Sequence, residues 1–532
     1  ALIAGRAGLR VILADEGTEA GGSLLSRSLE IDGKSAVDWV ASAEAELAAL
    51  PNVTHLQEAT VWAYREHNFL CINEKNPDHA TILERNWRVR AKQVILATGA
   101  IERPLSFAGN DIPGVMLASA VRDYAVNFGV SSGDRTVVVT NNDDAYRTAI
   151  ALVEAGLAVP CVIDARVEAN GALPQKAREM GIRVETGSAI GKVKGGKRVE
   201  GVTLCAQNGE GATKEEIKCD CVAMSGGWSP VVHLWSHCGG KLNWDADQAM
   251  FRPDPARPPL GHDGAGFVIV AGTANGFLDA AGAMKDAVAA GKKAAKETGH
   301  KAVGTTPKAV SEAEAPIAPV WFMPAGASRE LRAKTWVDYQ NDVKVSDVQL
   351  AAQEGYESVE HTKRYTTLGM ASDQGKLSNI NGLAVLADSL NADIPQVGTT
   401  TFRPPYHPIS MGAIAGDARG ELFKPIRKTP IHEWIDQNGG FWEPVADWRR
   451  PYCYQNSGES VKDAVTREIL NTRNNVGLLD ASTLGKIIVK GPDAGKFLDM
   501  LYTNMMSNLE VGRCRYGLRC SENGFLSDDG VV

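Results

Sequence analysis

No stretch of the sequence approaches about 18 uninterrupted apolar residues, so none reads as a membrane-spanning helix. The apolar opening ALIAGRAGLRVILADE is broken by Gly5, Arg6 and Gly8 and is too short for a signal peptide. A cytoplasmic protein without membrane association is expected. Cysteine is sparse and unpaired in pattern: nine residues, at 71, 161, 205, 219, 221, 238, 453, 514 and 520, which suits a reducing compartment rather than a disulfide scaffold. Only Cys219-Asp-Cys221 forms a tight pair. It lies in an apolar stretch with no second pair at metal-ligand spacing, so core thiols are expected and no metal site. The net charge of −8 offers no chain-wide attraction to nucleic acid, and the basic cluster KVKGGKR (192–198) reads as a solvated hairpin turn. The chain has no initiator Met and stops at SDDGVV. Both ends read as cut, the first inside a nucleotide-binding motif and the second inside a domain.

What the chain does have is length and glycine. At about 100–200 residues per domain, 532 residues make about three or four domains. The 54 glycines exceed the usual share of about 7%, which points to tight turns and close backbone approaches.

The glycines fall in a recognisable order. Residues 1–16 read as a helix end followed by a buried parallel strand, Leu9 to Ala14, closed by Asp15 and Glu16. In a dinucleotide-binding βαβ unit the acid at the end of the second strand accepts hydrogen bonds from the adenosine ribose, so these two are the candidate carboxylates. Gly21, Gly22 and Ser23 follow as small cofactor-facing candidates. The glycine-rich phosphate loop is expected upstream of residue 1. An apolar strand then enters a small-residue turn at VILATGA (94–100), with Thr98 and Gly99 at cofactor distance. A second βαβ unit follows: strand 136–139, helix 146–155, strand 159–163 and Asp164. Its turn, TNNDDAY (140–146), puts two carboxylates at a helix N-terminus, where they would repel a pyrophosphate, so this unit is expected to keep the fold without tight dinucleotide binding. A strand and turn return at FVIVAGTANG (267–276), with Gly272, Ala274 and Asn275 as further cofactor candidates.

The organisation expected is α/β and α+β multidomain, built on a two-dinucleotide-binding-domain, Rossmann-like fold. Residues 1–134 are the first part of an NAD-binding domain of FAD type and 135–225 an inserted second Rossmann-like domain. Residues 226–300 return to the first, 301–330 form a linker, 331–398 a small helical domain, and 399–532 a different α+β domain.

Three stretches carry a more specific signal: ATGAIERPLSFAGNDIPGVMLASAVRDY (97–124), VEHTKRYTTLGMASDQGKLSNINGLA (359–384) and TTFRPPYHPISMGAIAGDARGELFKPIRKTPIHEW (400–434). They resemble the sarcosine oxidase alpha-subunit family, in collinear order through the chain. The final part, from PIHEW through NNVGLLDASTLGKIIVKGPDAGKFLDMLYTN to RYGLRCSENGFLSDDGVV, resembles the folate-binding module of aminomethyltransferase, the glycine-cleavage T-protein. The resemblance implies a heterotetramer with beta, gamma and delta subunits that oxidises sarcosine to glycine and reduces O2 to H2O2. The one-carbon unit would pass to tetrahydrofolate as 5,10-methylene-tetrahydrofolate. It places NAD and the folate site in this chain, FAD in the beta subunit, and FMN near the contact between them. The alternative is an NAD-binding scaffold and folate-carrier subunit of a related amine or opine dehydrogenase complex. Those relatives carry cysteines for an iron–sulfur cluster in the stretch corresponding to 336–376; here no Cys lies between 239 and 452.

By the same resemblance the essential folate carboxylate is Asp528, with Asp529 as the alternative, acting in general acid–base catalysis. Asp528-Asp529-Gly530 is also a hairpin-turn signal. Tyr516 is the folate-stacking candidate and Tyr502 a second, although large aromatics commonly serve as core. Arg403 and Tyr406 in FRPPY are candidates for flavin or subunit contact, and Lys363 and Arg364 for a partner's flavin phosphate or a solvated helix face. His361, His407 and His432 form no triad or metal spacing, so structural roles are expected for them.

Overall fold

A computed structural model describes every residue except 66, 78, 262, 303 and 311–313. The chain divides into two compact units, residues 1–414 and 415–532.

In the first unit Val11–Ala14 pairs in parallel with Val53–Leu56, and helix Ala36–Ala49 connects them, capped by Ser35, which accepts from the Asp38 amide. Val11–Ala14 is half-buried rather than buried, because Val53–Leu56 is its single paired neighbour among the described residues. Val94–Leu96 pairs in parallel with Val268–Val270. The second of these strands feeds helix Ala280–Glu297, whose Ala290 and Ala294 pack on Ile269 and Ala271. Small residues on that helix face permit close approach; a Cβ at Gly291 would meet Ile3 at 3.0 Å. An antiparallel sheet of Ala59–Arg65, Phe69–Lys75 and Glu84–Arg90 lies between these pairs in the chain.

Between Val94–Leu96 and Val268–Val270 the chain inserts a complete α/β unit. Its five strands are all parallel, in the order Val115–Leu117, Cys221–Ser225, Thr136–Thr140, Val162–Asp164 and Val184–Glu185. The run TVVVT is buried on both faces, as a central parallel strand requires. Helices Ala118–Phe128, Asp144–Glu154 and Ala172–Glu179 cover one face. The antiparallel sheet Ser188–Gly195, Val199–Ala206 and Glu215–Lys218 covers the other, and KVKGGKR is the turn of its first hairpin. Cys219 and Cys221 are buried, and burial raises their thiols to about 12 and about 11. Helices Val345–Gln353, Val359–Thr366 and Asn379–Leu390 then enclose a small core around Val348, Val359 and Leu386.

Two segments differ from the sequence reading. Residues 303 and 311–313 of the expected linker lie outside the described residues, but the stretch from 314 is an ordered strap. Val320, Met323 and Ala327 are buried, and the Met323 amide donates to Ser106 O at 2.7 Å. Proline and alanine content signalled the lack of helix or strand, not the lack of packing. Residues 399–414, assigned to the last domain, pack instead within the first unit: Tyr406 is 6% exposed, and Asn86 Nδ2 donates to Ala413 O at 3.2 Å.

The second unit is α+β, as expected. It holds the hairpin Gly440–Val445 with Trp448–Tyr454, helices Val461–Asn474 and Ala494–Leu501, and the hairpin Tyr516–Cys520 with Leu526–Val531. Among the described residues no helix is long and apolar enough to cross a membrane.

A buried ion cluster ties the strap to the inserted unit and to the segment before helix Ala36–Ala49. Asp144 lies 3.0 Å from Arg147, 3.3 Å from Arg27 and 3.4 Å from Arg122, and Arg147 also reaches Glu314 at 2.6 Å. Burial opposes the charge of Asp144, and the guanidiniums of Arg122, Arg27 and Arg147 outweigh it, holding the carboxyl below its ordinary range. Its contribution is therefore present at neutral pH and lost as pH falls. Replacing Asp144 by Asn leaves Arg122 buried without its counter-charge and is expected to cost about 3–5 kcal/mol. Denaturant unfolding of the full-length protein measures this, with the deficit shrinking toward acid pH. An unchanged midpoint at neutral pH would show that the cluster does not stabilise the fold.

Candidate functional site

The parallel register sets Val94 opposite Val268 and Leu96 opposite Val270, so the turns that follow both strands open at one sheet edge. In the first turn Gly99 has φ +73°, a backbone that glycine adopts without strain, and a Cβ there would meet nothing within 4 Å. Thr98 Oγ1 donates to Val231 O at 2.6 Å and the Val231 amide donates to Gly99 O at 3.0 Å. The turn is thereby fastened to the segment that leads into helix His233–His237. In the second turn, Gly272–Asn275, the Gly272 amide and Asn275 Nδ2 donate to Asp286 Oδ2 at 2.9 and 3.1 Å. Ala274 is fully buried. Asp286 organises this turn from within helix Ala280–Glu297; sequence reading passed over it because one acid in an Ala-rich helix carries no motif.

The two candidate acids diverge. Asp15 Oδ1 accepts the Gly17 amide at 2.8 Å, closing a local turn. The Glu16 side chain is 53% exposed, and its Oε1 accepts from His407 Nδ1 at 2.7 Å and from Thr60 Oγ1 at 3.5 Å. Burial works against its charge, and His407 and Lys376 outweigh burial, so the carboxyl sits below its ordinary value. Gly21 and Gly22 have φ +118° and +53° and open the turn Gly22–Ser26. A Cβ at Gly21 would meet Leu25 at 3.0 Å, whereas Gly22 and Ser23 are exposed.

The FRPPYHP segment turns Tyr406 inward. Its ring stacks on His233 at 4.5 Å and 29°, and Lys376 Nζ lies 4.1 Å from the ring centre and donates to Tyr406 O at 2.6 Å. His233 is 2% exposed, and burial, with the nearby His407, His237 and Lys376, drives its pKa down to about 2, so it is neutral. Nothing in the sequence around His233 marked it out. Arg403 and His361 are exposed, Lys363 is half-buried, and Arg364 pairs with Glu360 at 3.2 Å. In the second unit His432 stacks on Trp442 at 4.1 Å.

The turn of the inserted unit is filled by the chain itself. Asp143 lies 2.7 Å from Arg166 and accepts the Ala315 amide at 2.8 Å, while Asn141 Nδ2 donates to Ala318 O at 2.8 Å. Asp164, the acid at the end of this unit's second strand, is held by Arg166 and by Tyr146 Oη, each at 2.7 Å. The strap and Asp143 thus cover the helix N-terminus, the position that a dinucleotide phosphate takes in such folds. Beside them a cavity of about 440 Å³ is lined by Asn142, Trp228, Phe277, Asp279 and Glu314.

In the second unit Asp528-Asp529-Gly530 lies in strand Leu526–Val531, so the hairpin-turn reading is corrected. The turn falls at 521–525, where Gly524 has φ +80°. Asp529 bonds Tyr516 Oη. Because successive residues face opposite sides, Asp528 and Tyr516 lie on opposite faces of the hairpin. Asp528 shares its face with Gly517 and Gly530, where a Cβ would meet Tyr502 at 2.8 and 3.5 Å. Tyr502 is therefore the aromatic beside Asp528.

Parallel strands with an inserted α/β unit and two small-residue turns at one edge define a Rossmann-like multidomain α/β fold. L-proline dehydrogenase from P. horikoshii shares it, with a TM-score of 0.58 at 20% identity over 78% of this chain and 77% of that one. Residues 332–418 match the sarcosine oxidase A3 domain and 431–532 the GCVT N-terminal domain. The chain is 40% identical to sarcosine oxidase subunit alpha of Corynebacterium sp. strain P-1, over 99% of this chain and 55% of that protein. It is also 40% identical to that of Rhizobium meliloti, over 100% and 53% respectively. Its C-terminal part is 35% identical to an aminomethyltransferase of Thermotoga sp., over 20% of this chain and 27% of that protein. Over nearly its whole length the chain is similar to sarcosine oxidase alpha subunits, and it spans about half the length of the curated relatives it matches.

One buried acid near the first turn titrates in an accessible range. Burial, and then the charge of Asp144, raise Glu102 from 4.5 to about 7, although its Oε2 accepts the Ser119 amide at 2.7 Å. A raised acid stabilises the fold at low pH, and that contribution is lost as pH rises through about 7. Glu102→Gln keeps an acceptor for Ser119 and removes the ionisation. The variant is expected to be more stable than the parent by about 3 kcal/mol above pH 7, with a flatter stability profile between about pH 5 and 8. Parallel profiles for the two proteins would rule this out.

Proposed function

We propose that the chain is the NAD-holding, folate-coupling part of a sarcosine oxidase alpha subunit. The reaction is oxidative demethylation of sarcosine to glycine, with O2 reduced to H2O2 and the one-carbon unit delivered to tetrahydrofolate as 5,10-methylene-tetrahydrofolate. In this reading the amine is oxidised on a beta subunit that carries FAD, FMN sits at the contact with that subunit, and gamma and delta subunits complete the assembly. The observation that carries the reading is collinearity: one chain, similar from end to end to sarcosine oxidase alpha subunits, holds both a nucleotide-type sheet edge and a T-protein-type hairpin.

The residues present fit NAD. Glu16 offers a half-exposed carboxylate at a strand end, suited to ribose hydroxyls. Gly22, Gly99 and Gly272 have positive φ and no side chain, which leaves backbone open to a ligand. Thr98, Ala274 and Asn275 shape the same two turns. NAD supplies hydride chemistry when bound; the protein groups around it bind and orient. In the folate module, Asp528 would hold a proton at the reactive nitrogen of tetrahydrofolate while the imine carbon is captured, with Tyr502 against the pterin from the same face. Tyr516, committed to Asp529, would support the hairpin from its other side.

The test is Asp528→Ala in the full-length protein with its partner subunits, supplied with sarcosine and tetrahydrofolate. Formation of 5,10-methylene-tetrahydrofolate is expected to fall by about 10²–10⁴-fold, with oxygen uptake within about twofold of the parent and the missing carbon recovered as formaldehyde. Equal loss of oxygen uptake and folate capture would contradict the assignment.

A further inference from the structure

Glu16 is held by a residue from the far end of the first unit. Its Oε1 takes the hydrogen bonds from His407 Nδ1 at 2.7 Å and Thr60 Oγ1 at 3.5 Å, and among the described residues no protein group bonds Oε2. A carboxylate only accepts, so His407 carries its proton on Nδ1. His407 is in turn immobilised. Pro404, Pro405 and Pro408 restrict the backbone around it. Gln374 Nε2 donates to the carbonyls of Arg403 and Pro405 at 3.0 and 2.6 Å, and Lys376 Nζ donates to that of Tyr406. Its ring lies 5.4 Å from that of buried His233. A half-exposed glutamate would otherwise sample several rotamers, and one bound oxygen removes that freedom while leaving the other oxygen available.

We propose that His407 is a positioning residue of the nucleotide site: it fixes Glu16 through one carboxylate oxygen so that the other meets the adenosine ribose hydroxyls of the bound dinucleotide. The inference rests on the reading of Glu16 as the nucleotide acid. It places part of the nucleotide site's support in the 399–414 segment, outside the sheet that carries the site. A fixed acceptor loses less freedom on binding than a mobile one, and the charge-assisted bond to His407 supplies the restraint.

The experiment is equilibrium dialysis of NAD and of ADP-ribose against the full-length protein stripped of nucleotide. His407→Ala is expected to weaken both ligands about tenfold, because both carry the adenosine ribose. His407→Asn, whose Nδ2 takes the place of Nδ1, is expected to stay within about twofold of the parent. If Ala disturbs the packing on His233, seen as a lowered thermal midpoint, His407→Phe keeps the ring, removes the donor and carries the tenfold expectation alone. Unchanged affinity in the Ala and Phe variants overturns the proposal. So does an Asn variant as weak as Ala, which would reduce His407 to packing. If the parent protein takes up neither ligand, the nucleotide reading of Glu16 falls first and this inference with it. If the parent binds both and Glu16→Gln weakens them while the His407 variants do not, only the inference falls.

Discussion

The hydrogen-bonded pairing of two short strands, Val94–Leu96 and Val268–Val270, is the constraint on which the first unit depends. The chain leaves the sheet after the first strand, builds a whole α/β unit, and returns to pair beside its point of departure. Val94, Leu96, Val268 and Val270 then share one core with Tyr64, Leu234 and Trp235. A slip of one residue would turn these side chains out of the core and separate the Gly99 turn from the Gly272 turn. Register, rather than any single side chain, brings the two turns to one edge.

The inserted unit also rests on parallel strands, but its turn is filled. Its helix N-terminus is covered by Asp143 and the strap, and its strand-end acid is neutralised by Arg166. Glu16, which follows strand Val11–Ala14, remains half-exposed. One strand-end acid in the chain is therefore left half-exposed, and the other is closed over by the chain itself. The closure also contributes to structure, because Glu314 of the strap joins the buried cluster around Asp144.

Much of this was legible in sequence because it rests on local rules. Apolar runs ending in small or acidic residues mark parallel strands, and Gly99 and Gly272 stand where the backbone turns left-handed. The carboxylates of TNNDDAY were visible at the turn, though their partners, Arg166 and the Ala315 amide, were not. What was illegible depends on contacts between distant segments. Nothing in FRPPYHP announces that Tyr406 will stack on His233 or that His407 will reach Glu16. The strap between 314 and 327 looked like a linker because its packing partners, Ser106, Asn141 and Gln207, lie far away in sequence. Asp528 was singled out as the folate carboxylate through family resemblance alone, and its place in strand Leu526–Val531 was not read from the DDG run, which signals a turn. Which tyrosine shares its face follows from a hairpin register that the alternation of residue types did not reveal.

The central claim is that one chain couples a nucleotide-bearing fold to capture of a one-carbon unit by folate. The most direct measurement follows the methyl carbon of isotopically labelled sarcosine through the assembled full-length protein and its partners, with and without tetrahydrofolate. Label is expected in 5,10-methylene-tetrahydrofolate when folate is present and in formaldehyde when it is absent, at similar rates of glycine formation. Label appearing as formaldehyde in equal amount under both conditions would contradict it.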